Sequence, residues 1–285
     1  MSILVTFPGK HGDCLWALPT VRAISETYGE PVTLQISQTI GSLAPLLKRQ
    51  SYLAEVIVDA DWCLQDTAPV SPRRPPWILW TGDGHAARYT DTEPGPYDRI
   101  VHLGYEGWPT PNLPLDVYNR ANRFNTLTDL DLTRPWITPT YALHPTDLCV
   151  GFTDEHFELK YGLYFLLHDR FCMRSVHKTV SLSTSPRWQR EANYLGFDWC
   201  SAAAWLASTK VFLGCCSALH VLACAVGTPV IMMEPNPQRH NDVFYPYGKR
   251  GPQVQLVLGG DGQPTWDSRH VGDAVEEALA LLKKE

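Results

Sequence analysis

Short apolar runs and segments with helical spacing alternate along the first part of the chain. Ile3–Phe7 is a short apolar run, which is typical of a strand buried in a parallel sheet. Residues 14–28 then carry apolar side chains at helical spacing, and Gly29 follows as a residue type that commonly terminates helices. The alternation continues with strands predicted at 32–36, 55–58, 77–80 and 97–103 and helices predicted at 41–53 and 115–124.

A second series of strands and helices follows the proline-containing segment 133–145. Strands are predicted at 148–152, 179–183, 210–213, 229–233 and 254–257, and helices at 155–168, 187–195, 202–207, 217–226 and 270–284. Two consecutive series predict an α/β fold with two Rossmann-like, doubly wound domains, residues 1–140 and 141–285. Sheets of this kind bind ligands at the carboxyl ends of their strands, so we expect the domains to face a cleft that holds the site.

The composition narrows the classes of partner. Lys and Arg total 24 against 30 Asp and Glu, a formal net charge of −6, which disfavours a broad phosphate-binding face and hence nucleic acid as a partner. No apolar run is long enough to predict a membrane span, and the first residues resemble a strand rather than a signal peptide. Eight cysteines are too few for a disulfide scaffold in 285 residues, so reduced thiols and a cytoplasmic location are expected.

Common cofactor and hydrolase motifs are absent from the sequence. There is no G-x-G-x-x-G after the first strand, no P-loop, no H-E-x-x-H and no G-x-S-x-G, so nicotinamide, ATP and metal-hydrolase chemistry lose their usual support. Two D-x-D triplets, at 59–61 and 129–131, match a motif of metal-dependent glycosyltransferases, but that motif belongs to a different fold. We therefore expect neither a metal nor a cofactor.

Two segments carry a resemblance to a known family. Residues 11–24, HGDCLWALPTVRAI, resemble the opening G-D-x-L-x-x-L-P-x-x-R-A-L of the heptosyltransferase family, glycosyltransferase family 9. Residues 213–231, LGCCSALHVLACAVGTPVI, resemble that family's V-G-N-D-S-G-x-x-H-x-A-A-A-L-G-T-P-V-V. The departures from the pattern include three at candidate donor positions: Cys216 stands where the family has Asp, Ala218 replaces Gly, and His220 lies one position before the family's His.

The resemblance implies the two-domain glycosyltransferase B fold, with a terminal helix that packs back on the first domain. It also implies metal-independent sugar transfer, with inversion, from a nucleotide-sugar donor to the hydroxyl of a glycan or another acceptor. The first domain would hold the acceptor and the second the donor. Prolines and several tryptophans concentrate in the second half of the first domain, where they are expected to shape the acceptor pocket: Trp77, Trp80, Trp108 and Trp136.

Asp13 is the candidate general base. Transfer with inversion needs a group that takes the proton from the acceptor hydroxyl, and a carboxylate at the start of a helix is kept ionised by the helix N-terminus. The alternative is an ordinary helix cap, for which Asp is a favoured residue type. Lys10, His11 and Gly12 share the loop and would contact the acceptor or a phosphate; the alternative for them is a solvated loop.

Three turns are candidates for donor binding, and each also has a plain structural explanation. Helix N-termini, hydroxyls and a guanidinium can bind a diphosphate, but these residue types are also common in caps and surface loops. The loop that follows the strand at 229–233 would reach the ribose through Glu234 and the sugar or phosphates through its other polar residues. The candidate donor residues are Ser183, Thr184, Ser185, Arg187, Cys216, Ser217, Ala218, His220, Glu234, Asn236, Arg239 and His240.

Two alternatives to a glycosyltransferase stay open at this point. A nucleotide-sugar epimerase or hydrolase on the same fold would process the donor without an acceptor. A non-catalytic relative would bind the nucleotide-sugar without turning it over, which the departures at Cys216 and His220 make credible.

Overall fold

Each of the two compact units of the chain, Met1–Asp131 and Leu132–Glu285, contains a parallel β-sheet. In the computed structural model, the described residues are 1–7, 9–59, 78–80, 87–89, 96–104, 113–142, 148–152, 178–182, 194–195, 198–214, 217–234, 254–257, 273 and 280. Among these residues, no helix combines the length and the apolar character that crossing a lipid bilayer requires. The predicted mixed α/β class with parallel sheets is confirmed.

The first unit is a four-stranded parallel sheet with the order β3-β2-β1-β6. Its strands are β1 (Ile3–Phe7), β2 (Val32–Ser37), β3 (Leu53–Asp59) and β6 (Arg99–His102), and β4 (Ile78–Trp80) and β5 (Ala87–Tyr89) form a separate antiparallel pair. Its helices are α1 (His11–Tyr28), a 3₁₀ helix (Gln38–Leu43), α2 (Ala44–Leu47) and α3 (Leu113–Asn125).

Strand β1 lies between β2 and β6, and all five of its residues are buried. A strand covered on both faces needs a continuous run of buried side chains rather than an alternating one, which is the reason that its sequence predicts it well. Thr6 is the one hydroxyl in this run, and it lies opposite His102 of β6 in the register of the sheet.

Helix α1 is buried over twelve consecutive residues, 14–25, so it packs into the interior on every side. It ends where Gly29 takes a left-handed conformation, with φ of +72°, and donates its N–H to the carbonyl of Ser25. It begins at His11, which is earlier than the predicted start at residue 14. The earlier start makes Asp13 a residue of the first helical turn.

Arg99 ties three elements of the first unit together. Its guanidinium donates to Tyr28 Oη at 2.6 Å, on α1, and to Asn125 Oδ1 at 3.0 Å, on α3. It also lies 4.9 Å from the centroid of the Tyr28 ring, within the range of a cation–π contact. Both hydrogen bonds come from Nη1, and a lysine, whose ammonium sits on a shorter side chain without a planar group to lie over the ring, does not reproduce these contacts together.

The second unit is a six-stranded sheet with the order β12-β11-β10-β7-β8-β9, and every strand pair in it is parallel. Its strands are β7 (Leu148–Phe152), β8 (Lys178–Leu182), β9 (Tyr194–Leu195), β10 (Val211–Gly214), β11 (Val230–Glu234) and β12 (Val254–Val257). Two helices of this unit lie wholly within the described residues, α4 (Trp199–Ser208) and α5 (Ala218–Val226).

Trp136 belongs to the core of the second unit. Its side chain is only 2% exposed, and the backbone N–H groups of Trp136 and Ile137 both donate to the carbonyl of Ala225, at 2.9 and 3.0 Å. That carbonyl is in the last turn of α5, where helices leave acceptors without an internal partner. The expectation that Trp136 shapes an acceptor pocket in the first domain is therefore wrong.

Two helices predicted from the sequence differ from the structure. The helix predicted at 41–53 is wrong, because a 3₁₀ helix and the four-residue α2 replace it and Leu53 already pairs with Val32 in the sheet. The end of the helix predicted at 187–195 is also wrong, since Tyr194 and Leu195 form strand β9 against β8. The helix predicted at 155–168 lies outside the described residues, and Asp273 and Ala280, the described positions of the terminal helix, are helical.

We predict that Arg99→Lys lowers the stability of the first unit by about 1–2 kcal/mol, the scale of one or two lost hydrogen bonds. The substitution keeps the charge but shortens the side chain and loses the Nη1 donor that reaches both Tyr28 and Asn125. Urea unfolding followed by circular dichroism measures the change. Arg49→Lys, at an exposed position, is the matched control, and equal stability of the two variants would contradict the prediction.

Candidate functional site

Each parallel sheet contains one point at which the strand order reverses. In the first unit the chain runs outward from β1 through β2 to β3, and later adds β6 on the other side of β1. In the second unit it runs from β7 through β8 to β9, and then adds β10 on the other side of β7. The connections that leave the two strands at such a point go to opposite faces of the sheet and open a crevice, which is where open α/β sheets bind ligands. Helix α1 directly follows β1, and helix α5 directly follows β10.

The first turn of α1 places Asp13 at the crevice of the first unit. Lys10 is the N-cap residue with an extended backbone, and Asp13 is the third helical residue after it. Asp13 Oδ2 accepts a hydrogen bond from the backbone N–H of Lys10 at 3.3 Å, which is long for such a bond and therefore weak. Asp13 is half-buried, and it sits where the helix dipole favours a negative charge. Capping and a catalytic role are compatible in this geometry.

His11 is held by a serine of the neighbouring connection. Its Nε2 lies 3.0 Å from Ser42 Oγ, in the 3₁₀ helix that follows β2. Burial lowers the pKa of His11 below its ordinary value, so the imidazole is neutral at neutral pH. His11 is thus a neutral hydrogen-bonding group in this crevice, and it brings no positive charge to a phosphate. The exposed Lys10 and half-buried Gly12 share the turn.

Thr6 and His102 form a second polar pair at the same edge, which the sequence did not indicate. Thr6 Oγ1 lies 2.7 Å from His102 Nδ1, and His102 is the last residue of β6. Burial, with a smaller effect from the positive charge of Arg120, lowers the pKa of His102 to about 4. The sequence offered one signal for His102, a polar residue near the end of the strand predicted at 97–103. It did not show that this strand pairs with β1, because the two strands are far apart in the chain.

Cys14, next to Asp13 in this turn, is not a candidate nucleophile. Cys14 is the next residue, but its side chain is only 1% exposed and points into the core. Burial raises the pKa of its thiol to about 12, so the reactive thiolate form is absent at neutral pH.

Helix α5 presents its N-terminus directly after β10, at the crevice of the second unit. Ser217 is the N-cap residue, and its hydroxyl accepts the backbone N–H of His220 at 3.3 Å. Ser217 and Ala218 are half-buried, so this end of the helix is accessible. The first backbone N–H groups of a helix have no partner within the helix and form an anion site. Ser217 thus caps the helix, as one interpretation of the sequence expected, without blocking anion binding.

The structure buries the ring of His220 completely. Burial lowers its pKa to about 3, so the imidazole is neutral. What His220 contributes at the surface of this turn is its backbone N–H, through the bond to Ser217. The expected contact between its side chain and a donor has no support in this placement.

The remaining donor candidates are only partly covered by the structure. Glu234 is the last residue of β11, where it pairs with Val257 of β12, so its backbone lies at the carboxyl edge of the sheet as expected. The other predicted donor residues lie outside the described residues: Ser183, Thr184, Ser185, Arg187, Cys216, Asn236, Arg239 and His240.

Comparison with family models and with curated proteins gives no match to this chain. Solved structures do match over its whole length. The glycosyltransferase family 9 protein of Veillonella parvula is 12% identical with a TM-score of 0.63, and the match covers 100% of this chain and 97% of that one. The E. coli heptosyltransferase WaaC with ADP is 13% identical with a TM-score of 0.58, and the match covers all of both chains.

A third similar structure is the E. coli ADP-heptose lipopolysaccharide heptosyltransferase II. It is 16% identical with a TM-score of 0.56, and the match covers 100% of this chain and 99% of that one. At such low identities the likeness is one of fold. It confirms at that level the resemblance carried by the two motifs: the chain has the fold of the family 9 heptosyltransferases.

Proposed function

We propose that the chain is a metal-independent glycosyltransferase that moves a sugar from a nucleoside diphosphate sugar to an acceptor hydroxyl, with inversion. One observation carries the proposal. The two segments that resemble family 9 motifs each start a helix at the strand-order reversal of their own sheet. Open α/β sheets generally bind ligands at such positions for topological reasons, and this supports the proposal independently of the sequence resemblance.

The second unit supplies the donor site in this proposal. The N-terminus of α5 offers backbone N–H groups at Ser217 and Ala218 to the diphosphate. Small residues at this turn let a phosphate approach the backbone closely. Ser183, Thr184, Ser185 and Arg187 are proposed to add hydroxyls and a guanidinium to the same group. Glu234, with Asn236, Arg239 and His240, is proposed to contact the ribose and the sugar.

The first unit supplies the acceptor site and the base. The acceptor oxygen attacks the anomeric carbon of the sugar as its proton passes to the carboxylate of Asp13. The new bond joins that oxygen to the anomeric carbon, and the bond from this carbon to the diphosphate oxygen breaks. The electron pair leaves with the nucleoside diphosphate, whose charge the N-terminus of α5 stabilises.

The neutral histidines of the first crevice fit an acceptor that is recognised through hydroxyl groups. His11 and His102 have pKa values lowered by burial, so both can donate and accept hydrogen bonds without carrying a charge. Lys10 is an exposed, positively charged residue in the same turn. We propose that the two crevices come to face each other across a cleft, which excludes water and lines up donor and acceptor.

We predict that a nucleoside diphosphate sugar stabilises the wild-type chain in a thermal-shift panel. A ligand at 100 times its dissociation constant adds about 2.7 kcal/mol. ADP and ADP-sugars come first in the panel, because the similar E. coli heptosyltransferase WaaC has a structure with ADP. The corresponding nucleosides, which lack the diphosphate, are the matched controls. Equal shifts with nucleoside and nucleoside diphosphate, or no shift at all, would refute the proposed donor site.

We predict that Asp13→Asn lowers sugar transfer by about 10²–10⁴-fold, the usual contribution of a positioned base, at unchanged donor affinity. The amide oxygen still accepts the Lys10 N–H, so the helix start is preserved. Release of nucleoside diphosphate measures turnover, and calorimetry measures donor binding. Glu55→Gln, which neutralises an exposed carboxylate elsewhere in the unit, serves as the control.

The same measurements separate the alternatives. Retained turnover in Asp13→Asn would disprove the assigned base. Wild-type breakdown or isomerisation of the donor that no acceptor ever diverts would indicate a hydrolase or an epimerase. Tight donor binding without turnover for any acceptor would indicate a non-catalytic binding protein.

A further inference from the structure

Gly9 occupies a position where the structure leaves no room for a side chain. It is buried, between the end of β1 at Phe7 and the N-cap residue Lys10. A Cβ atom placed on Gly9 would lie 2.6 Å from Phe7 Cζ and 2.8 Å from Asp13 Cβ, and closer still to Phe7 Cε1. Carbon atoms in contact normally lie about 3.5–4.0 Å apart, so the Cβ would collide on both sides.

Neither neighbour of that Cβ can yield easily. The Phe7 side chain is 0% exposed, and packed interiors have no spare volume into which a ring can turn. Asp13 Cβ is attached directly to the backbone of α1, so it moves only if the first turn of the helix moves. A side chain at Gly9 would therefore displace Asp13 together with the first turn of α1.

Two other glycines of the same unit lack this arrangement. A Cβ on Gly41 would meet only Val58, with Cγ1 at 2.9 Å as the nearest atom, and Val58 is 36% exposed and can rotate. A Cβ on Gly29 would meet nothing within 4 Å, and the requirement there is the left-handed φ of +72°. Gly9 is distinct because one of the three atoms that exclude a side chain belongs to Asp13.

We infer that Gly9 is a positioning residue for Asp13. Because it has no side chain, the loop backbone can pack between the Phe7 ring and Asp13 Cβ, and this contact sets where the carboxylate lies. The adjacent hydrogen bond from the Lys10 N–H to Asp13 Oδ2, at 3.3 Å, depends on the same placement. The inference rests on the proposed function, since it requires that Asp13 acts on a substrate.

Gly9→Ala tests the inference, with Gly29→Ala as the matched control. Both substitutions add one methyl group beside the same helix, but Gly29 lies at its opposite end, where Ala strains the backbone without a collision. The assay is release of nucleoside diphosphate from the nucleoside diphosphate sugar that most stabilises the wild type, with water as the acceptor. We expect Gly9→Ala to lower kcat about 10–100-fold, the effect of a small misplacement of a reacting group, with an unchanged KM for the donor.

Gly29→Ala should lower the melting temperature and leave kcat unchanged. If Gly9→Ala and Gly29→Ala have the same kcat, the positioning role is overturned while the proposed function stands. If the wild type releases no nucleoside diphosphate with any donor or acceptor, the proposed function itself fails, and this inference fails with it.

A second pair of variants covers the case in which Gly9→Ala alone does not fold. Phe7→Leu removes ring atoms Cε1 and Cζ, so in Gly9→Ala combined with Phe7→Leu the added methyl group can shift toward the vacated ring position and away from Asp13 Cβ. We expect the fold loss of kcat caused by Gly9→Ala to be smaller in the Phe7→Leu background, because residues in contact couple in a double-mutant cycle. An equal loss in both backgrounds would show that Gly9 does not act through this packing.

Discussion

The candidate site of the first unit depends on one constraint, the parallel pairing of β1 with β2 on one side and with β6 on the other. Because β1 is covered on both faces, all five of its residues are buried, and the chain leaves the sheet only at Phe7. The pairing with β6 is long-range and makes β1 the point at which the strand order reverses. Helix α1 therefore starts at the carboxyl edge of the sheet. Its first turn contains Asp13, so the pairing of β1 also determines where Asp13 lies.

The same constraint explains which parts of the fold the sequence could predict. The strands Ile3–Phe7, Leu148–Phe152 and Val254–Val257 have the bounds that their short, mostly apolar segments predict. The segment 41–53 has helical spacing too, but its end is recruited into the sheet by the pairing of Leu53 with Val32. The spacing of apolar residues indicates only local structure, and in this segment the pairing of two strands distant in the chain determines the fold instead.

The candidate site shows the same limit at the level of side chains. The motif at residues 11–24 indicated Asp13, because the resemblance attaches a role to that position. His102 could not be found in this way, since its importance comes from the register that sets it beside Thr6. Gly9 could not be found either, because what it does is visible only when the Phe7 ring and Asp13 Cβ are seen on either side of it.

The departures from the family pattern at Ala218 and His220 affect side chains and leave the backbone at the start of α5 in place. His220 and Val221 are both buried, at 0% and 3% exposure, so a shift of the His by one position exchanges one interior residue for another. Ser217 keeps its capping bond to the His220 N–H, which fixes the start of α5. In the proposed donor site, the N–H groups that would face a diphosphate come from the backbone, and their geometry depends on this cap rather than on the residue type at 218. A donor site built in this way tolerates Ala218, because a small side chain still leaves the backbone within reach of a phosphate.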